Sequence, residues 1–261
     1  MTLSAHDLED LYYAATLLEN PGLAVKITNI VGVPVERAFA LLPAGWSDVV
    51  RKSTHRALET AVNSALFTLR NRKTEVSADK FHTLMAAGLG AAGGFWGLAG
   101  LGVELPVSTT VMMRSIADIA RSEGHDLKDP AVKIACLEVF ALGGTSDADD
   151  GAETSYFALR ASLAKSVADA VRHIVSKGLT EKSAPALVRL ITQVSSRFGL
   201  QVTEKVAAQS LPLLGALGGA AINSLFIDHF QTMARGHFIV LRLEKKYGRE
   251  EIQEIYTTFA K

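Results

Sequence analysis

The sequence has little of what several common kinds of site require. Cysteine occurs once, as Cys136 in the apolar stretch VKIACLEVF, which argues against a disulfide framework and a thiolate metal site. Aromatic residues make up only 7% of the chain, and 27 basic residues balance 27 acidic ones. Without a net charge to attract it, nucleic acid is not an expected partner. The short basic runs at 70–73 and 245–246 are interpreted as solvated helix ends.

Motifs for catalysis and for metal binding are also missing. The chain contains no G-x-S-x-G, H-E-x-x-H, C-x-x-C or G-x-x-x-x-G-K-[ST] pattern. The acidic stretch TSDADDGAE departs from a calcium-binding loop, because its Gly stands at position 5 counted from Asp147 and position 12 is not Glu. We expect no metal, no cofactor and no catalytic residue. The beginning of the chain lacks the segments of a signal peptide, which favours a cytoplasmic location.

Helical periodicity, in contrast, runs along nearly the whole chain. No sustained alternation typical of strands occurs, whereas apolar residues recur about every 3.6 residues. We predict one all-α domain over residues 1–261, a multi-helix globular bundle. Besides two short helices within 23–32 and 34–42, the pattern predicts helices over 5–19, 47–71, 105–123, 130–143, 155–177, 181–198, 228–246 and 250–260.

Two glycine-rich apolar runs interrupt this pattern. The first, GLGAAGGFWGLAGLGVELP (88–106), contains seven glycines and no charge before Glu104, and the second is VAAQSLPLLGALGGAAINSLFI (206–227). Both carry small residues at i and i+4, a spacing that lets helix backbones approach closely. We therefore predict two helical hairpin segments that pack centrally on each other as a glycine zipper and border an apolar groove. The predicted groove residues are Gly94, Gly97, Gly100, Gly215 and Gly219.

Both runs reach the length of about 20 residues that a membrane-spanning helix needs, and the mean hydropathy of the chain is +0.20. Composition argues against spanning. The first run has few large apolar residues, the second contains Gln209, Pro212 and Asn223, and neither has flanking Lys/Arg asymmetry or aromatic belts. Buried core hairpins are the favoured interpretation. Hairpins that embed reversibly in a membrane and true spans are the alternatives.

Charged and polar residues border these runs. Hairpin packing would bring them to one polar pocket at the mouth of the groove, where Arg114 or Arg235 meets a lipid phosphate. The alternative is an ordinary ion pair between Glu104 and Arg114. His229 beside Asp228 has no nucleophile at a known spacing. The predicted ligand-binding residues are Glu104, Arg114, Asp118, Asn223, Asp228 and Arg235.

Four stretches together resemble the EcsC protein family: NPGLAVKITNIVGVPVERAFALLP, GGFWGLAGLGVELPVSTTVMMRSIADIARSEGHDLKDP, YFALRASLA and LPLLGALGGAAINSLFIDHF. The second is the strongest, with an acidic-x-Pro turn followed by R-x-I-x-x-I-A-x-x-x-G. In the family pattern Asp is usual where this chain has Glu104, and Tyr is common in place of Glu123. The resemblance implies a helical bacterial protein with a loose connection to membranes, and it implies no particular reaction.

Together these patterns lead us to expect a non-enzymatic protein that binds a lipid, an acyl chain or another hydrophobic ligand and associates peripherally with the membrane surface. Two alternatives remain open at this point. One is a hydrolase of a lipid or peptide that uses Glu104, Asp118 or His229 as an acid or base. The other is an accessory partner of a membrane transport complex that docks through the glycine-rich segments.

Overall fold

The computed structural model describes residues 3–19, 22, 23–32, 34–63, 97–144, 155–177, 184–210 and 215–259. This part of the chain contains ten α-helices, one 3₁₀ turn at Val139–Ala141 and no strand, which confirms the all-α prediction. The helices are α1 (Ala5–Leu18), α2 (Leu23–Val31), α3 (Val35–Phe39), α4 (Trp46–Ala61), α5 (Gly97–Ser122), α6 (Pro130–Glu138), α7 (Ser155–Lys177), α8 (Pro185–Gln209), α9 (Gly215–Tyr247) and α10 (Arg249–Phe259).

Local sequence signals set several helix ends. The Ser4 hydroxyl accepts a hydrogen bond from the Asp7 amide at 3.2 Å and so caps α1. Asp129 caps α6 in the same way, with Pro130 in the first helical position. Gly124 follows the end of α5 with a φ of +86°, a conformation that favours glycine. These ends were predictable because each depends on one or two neighbouring residues.

The core forms where α5 packs against α4 and α9, and where α4 and α7 pack against α8. The apolar period of 105–123 gives α5 a buried stripe, whose members are at most 1% exposed: Leu105, Thr109, Met112, Ile116 and Ile119. A cluster of aromatic rings from three elements continues this interior, with Phe140 against Phe198 and Phe230 at 5.0 and 5.3 Å between ring centroids. The bundle therefore has one continuous apolar core across the described residues.

The predicted turn at Glu104-Leu105-Pro106 was wrong, because α5 runs through it from Gly97 to Ser122 with Pro106 inside the helix. Proline removes a helical hydrogen bond and usually breaks a helix. Here the apolar stripe continues on both sides of Pro106. The Ser108 and Thr110 hydroxyls donate to the carbonyls of Leu105 and Pro106 at 3.2 and 2.7 Å, so local side chains bind backbone groups next to the proline.

The predicted boundaries of α8 and α9 were also wrong. α8 continues past Phe198 to Gln209, and α9 is one helix of 33 residues that does not begin at Asp228. Its buried face passes through that position without interruption, from Phe226 through Phe230 to Phe238. The return of charges at Asp228 marks the exposed side of the same helix.

Helix α1 covers α9 and contacts α10. Its buried face carries Leu11, Ala14 and Leu18, whereas Leu8 and Tyr12 are 42% and 56% exposed. At one end, Asp7 accepts hydrogen bonds from Lys246 at 2.7 Å and from the Tyr247 hydroxyl at 2.6 Å. The hydrogen bonds from Lys246, Ser4 and Tyr247 hold the pKa of Asp7 well below its usual range. At the other end, the Tyr256 hydroxyl donates to Glu19 at 2.9 Å.

No helix among the described residues combines the length and the hydropathy that crossing a membrane requires. Residues 88–96 of the first glycine-rich run and 211–214 of the second lie outside the described residues, as does the acidic stretch 145–153.

Candidate functional site

Glu104 is the predicted site residue whose surroundings are best defined. Its carboxylate accepts a hydrogen bond from the Lys205 ammonium of α8 at 2.7 Å. The Lys205 side chain is fully buried, and that of Glu104 is 11% exposed. The proposed alternative, an ion pair between Glu104 and Arg114, is wrong, because Arg114 is exposed on α5. Glu104 therefore helps to neutralise a lysine in the core.

The same lysine connects Glu104 to the second glycine-rich run. Its ammonium nitrogen lies 5.0 Å from the centroid of the Phe226 ring on α9, within the range of a cation–π contact. Asn223 lies one turn before Phe226 and is fully buried. The predicted pair Glu104 and Asn223 thus belongs to one interior region formed by α5, α8 and α9. Sequence reasoning missed Lys205, although it directly precedes the second charge-free run just as Glu104 directly follows the first.

The remaining predicted polar residues lie elsewhere. Asp118 pairs with Arg121 on its own helix, 3.0 Å apart. Arg235 of α9 is 3.4 Å from Glu123, next to the contacts between α1 and α9. Asp228 is exposed. These side chains have separate environments and do not join Glu104 and Asn223 in one pocket.

The glycines that were predicted to line an apolar groove fall mainly at the beginnings of helices. Gly97 and Gly100 lie in the first turn of α5, and Gly215 and Gly219 in the first two turns of α9. Gly94 lies outside the described residues. For Gly97, Gly100, Gly215 and Gly219 the structure describes the helix but not the packing around each glycine. The glycine zipper therefore stays a prediction.

A groove of about 710 Å³ lies between α4 and α8. Its apolar lining comes from Trp46 and Val50 of α4 and from Leu200 of α8, which is 52% exposed. Gly199 also lines the groove, and a Cβ atom added to it would meet no atom within 4 Å. The volume is in the range of protein sites for small organic ligands.

The charge of this groove has one sign. Arg51, Lys52, His55 and Arg56 line it, and its described lining includes no acidic residue. Arg51 pairs with Asp48 at 2.8 Å on the exposed surface, so part of its charge is balanced. Lys52 and Arg56 make no ion pair with any described residue, and their spacing of four places them on one face of α4. The groove therefore offers an apolar lining and two cations that have no ion-pair partner among the described residues.

A serine, a histidine and a glutamate meet beside the groove. The His55 Nδ1 atom is 3.3 Å from the Ser195 hydroxyl, and its Nε2 atom is 3.3 Å from Glu59. In this structure the hydroxyl donates its hydrogen to the Ile191 carbonyl and not to His55, whereas a serine nucleophile donates to its base. The backbone amides around Ser195 belong to a helix, which leaves none for an oxyanion hole.

Sequence reasoning did not find the groove. Arg51 and Lys52 lie on the exposed face of α4, where basic residues are normally solvated. Only the packing of α8 beside that face makes it concave. The stretch RKSTHR was a local signal for a basic surface, because it places three Lys or Arg residues and one His within six positions.

Comparison with protein-family models matches residues 23–243 of the chain to the model described as the EcsC protein family. Searches of the curated proteins and of the solved structures find no match.

Proposed function

We propose that this chain, which belongs to the EcsC protein family, binds an anionic amphiphile such as a fatty acid or a phospholipid in the groove between α4 and α8. The observation that carries the proposal is the combination in one groove of an apolar lining, basic side chains without an ion-pair partner in the described part of the chain, and no acidic side chain among its described lining. The protein binds and does not transform this ligand.

The two parts of such a ligand match the two parts of the groove. An acyl chain would contact Trp46, Val50 and Leu200, which gains the hydrophobic free energy of burying apolar surface. The acidic group would accept charge-assisted hydrogen bonds from Lys52 and Arg56. A neutral or cationic amphiphile would lack this second contribution.

Exposed apolar residues next to the groove support a peripheral membrane association. Leu41 precedes α4 and is 51% exposed, and Val49 in its first turn is 41% exposed. Trp46 lies between them in the sequence and lines the groove. Apolar side chains and Trp beside Lys and Arg are the composition with which proteins bind an anionic bilayer surface. We place the protein at the cytoplasmic face of the membrane, where it would take up its ligand.

The first experiment is native mass spectrometry of protein purified without detergent, followed by lipid analysis of the extracted material. We expect a fatty acid or phospholipid in stoichiometric amount. Protein that is empty and that binds no added oleate or phosphatidylglycerol would overturn the proposal and leave docking to a membrane transport complex as the better account.

A substitution inside the groove tests its position. Gly199→Leu places a side chain in the groove without a clash at Cβ, so we expect it to fold and to lose the ligand. Gly199→Ala is the matched control, because it removes the same helical glycine but occupies little of the groove. Equal ligand content in both variants would show that the ligand lies elsewhere.

A second pair of variants tests the charge. Lys52→Gln/Arg56→Gln removes two cations that line the groove, and Lys128→Gln/Lys165→Gln removes two exposed cations outside it. Each lysine or arginine at an anionic surface contributes about 1 kcal/mol, so the groove variant should partition about 30-fold more weakly onto phosphatidylglycerol vesicles. The control should partition like the wild type, and neither should respond on phosphatidylcholine. Equal losses in the two variants would contradict a specific groove.

A further inference from the structure

A second cavity, of about 380 Å³, lies between α6, α7 and α9, away from the groove. Small and branched apolar side chains form its walls, including Ala135 of α6, Ala164 and Val167 of α7, and Leu241 of α9. None of these residues lines the groove between α4 and α8. The cavity is therefore a separate place for a small ligand.

Glu138, the last residue of α6, lines this cavity and is only 8% exposed. Its carboxyl group makes no hydrogen bond or ion pair with any described residue. The neighbouring cation, Arg160, forms a bidentate ion pair with Glu244, in which its two terminal nitrogens donate to the two carboxylate oxygens at 2.7 and 2.9 Å. Glu138 and Glu244 thus both lie near one guanidinium, and when Glu138 is ionised these three groups together carry one negative charge.

The opposite charge stands at the edge of the cavity. Lys245 at the end of α9 and Arg249 at the start of α10 line it, are exposed, and make no ion pair with the described residues. The remaining polar lining is engaged: His125 donates from Nε2 to the Phe238 carbonyl at 2.9 Å, Asp126 accepts from the Lys128 amide at 2.9 Å, and Asp129 caps α6. The cavity therefore offers a buried anion inside, cations at the rim and apolar walls between them.

The geometry points to a binding site for a small zwitterion, whose ammonium group pairs with Glu138 and whose acid group pairs with Lys245 and Arg249. An aliphatic amino acid or a phosphoethanolamine has this chemistry. The alkyl part of the ligand would lie against the alanine and valine walls. This site goes beyond the proposed amphiphile groove, since it shares no residue with it and favours a ligand of different charge.

The protonation of Glu138 supplies a direct readout. Burial raises its pKa to about 7, and the charged groups that face it are Arg160, Glu244 and Arg249. An ammonium group beside the carboxylate would favour ionisation, so binding near pH 7 should release a fraction of a proton. Calorimetry in two buffers with different ionisation enthalpies measures that proton, and a ligand bound elsewhere would not release it.

The test is a ligand panel on the whole chain: the twenty protein amino acids and O-phosphoethanolamine, each followed by the melting temperature. At least one should raise it, and calorimetry then gives its affinity. For leucine as the responding probe, isoamylamine lacks the acid and 4-methylpentanoate lacks the ammonium, so each should bind at least tenfold more weakly. An equal response to O-phosphoethanolamine and to amino acids would identify the shared ammonium and acid groups as the recognised features.

Variants separate this site from the groove. Glu138→Gln keeps the size of the side chain but removes its charge, and should weaken binding at least tenfold and abolish the proton release. Lys245→Gln/Arg249→Gln should weaken the zwitterion but not isoamylamine, whereas Gly199→Leu should change neither. The inference is overturned if no member of the panel binds, or if binding and proton release persist in Glu138→Gln. Both results leave the amphiphile groove untouched.

Discussion

The buried ion pair between Glu104 and Lys205 gives the sharpest test of the packing between α5 and α8. At 2.7 Å the direct attraction is about 6 kcal/mol for an effective dielectric constant near 20, but burying both charges offsets most of it. Loss of one partner is therefore the informative change. Glu104→Leu leaves the ammonium of a fully buried lysine with the Phe226 ring as its one partner among the described residues, and should lower the free energy of unfolding by about 3–5 kcal/mol.

The opposite single change should cost less. Lys205→Met leaves a carboxylate that is 11% exposed and that water can reach in part, so we expect a loss of about 1–3 kcal/mol. The double variant Glu104→Leu/Lys205→Met has no buried charge at this place. It should lie within about 1 kcal/mol of the wild type, because apolar replacements of buried ion pairs are often neutral.

Urea unfolding followed by far-UV circular dichroism and by tryptophan fluorescence measures all four proteins, with coincident curves as the check of two-state behaviour. The coupling energy from this cycle should exceed about 2 kcal/mol. Losses that simply add in the double variant would refute the direct pairing of the two residues. A loss below about 1 kcal/mol in Glu104→Leu would refute the burial of the Lys205 ammonium.

Three further outcomes follow from buried groups. Burial raises the pKa of Glu138 to about 7, so the folded protein favours its neutral carboxyl group. The resulting contribution to the free energy of unfolding is complete below about pH 4 and is lost as the pH rises through 7. Urea unfolding should therefore show that the wild type loses about 3 kcal/mol between pH 4 and 8 relative to Glu138→Gln. Gly143→Ala places a Cβ atom 2.5 Å from His229 at a φ of +72°, and should cost about 2–4 kcal/mol, against about 1 for Gly124→Ala in open space at +86°. Burial raises the pKa of the Cys136 thiol, so Ellman's reagent should label it only after unfolding.

The helices that could be predicted from sequence are those whose signals are local and consistent. In α5 a repeating stripe from Leu105 to Ile119 coincides with an end at Gly124, and the structure has both. The helix boundaries predicted at Pro106 and Asp228 were wrong, because a proline or the first charge after an apolar run normally marks a helix end. At both positions the apolar face continues, and burial of that face outweighs the local signal.

The candidate sites could be predicted only in part. Glu104 is identifiable because it ends a long charge-free run, but its partner Lys205 lies 101 residues later, and only the packing of α5 on α8 brings the two together. The same holds for Glu138, which the sequence shows as one of two charges in an otherwise apolar helix, with Lys133 as the other. The cavity that Glu138 lines forms only where three helices pack together, so no local sequence pattern predicts it.

The contacts of α1 also set an order of events during synthesis. Asp7 meets Lys246, its partner 239 residues later, so at 5–20 residues per second the ribosome needs about 10 to 50 s to supply it. During that interval the apolar face of α1, with Leu11 and Leu18, has no helix α9 to cover it. The burial of the first helix is thus completed only by the last two, and a nascent chain that stops before α9 carries an amphipathic helix with an open apolar stripe.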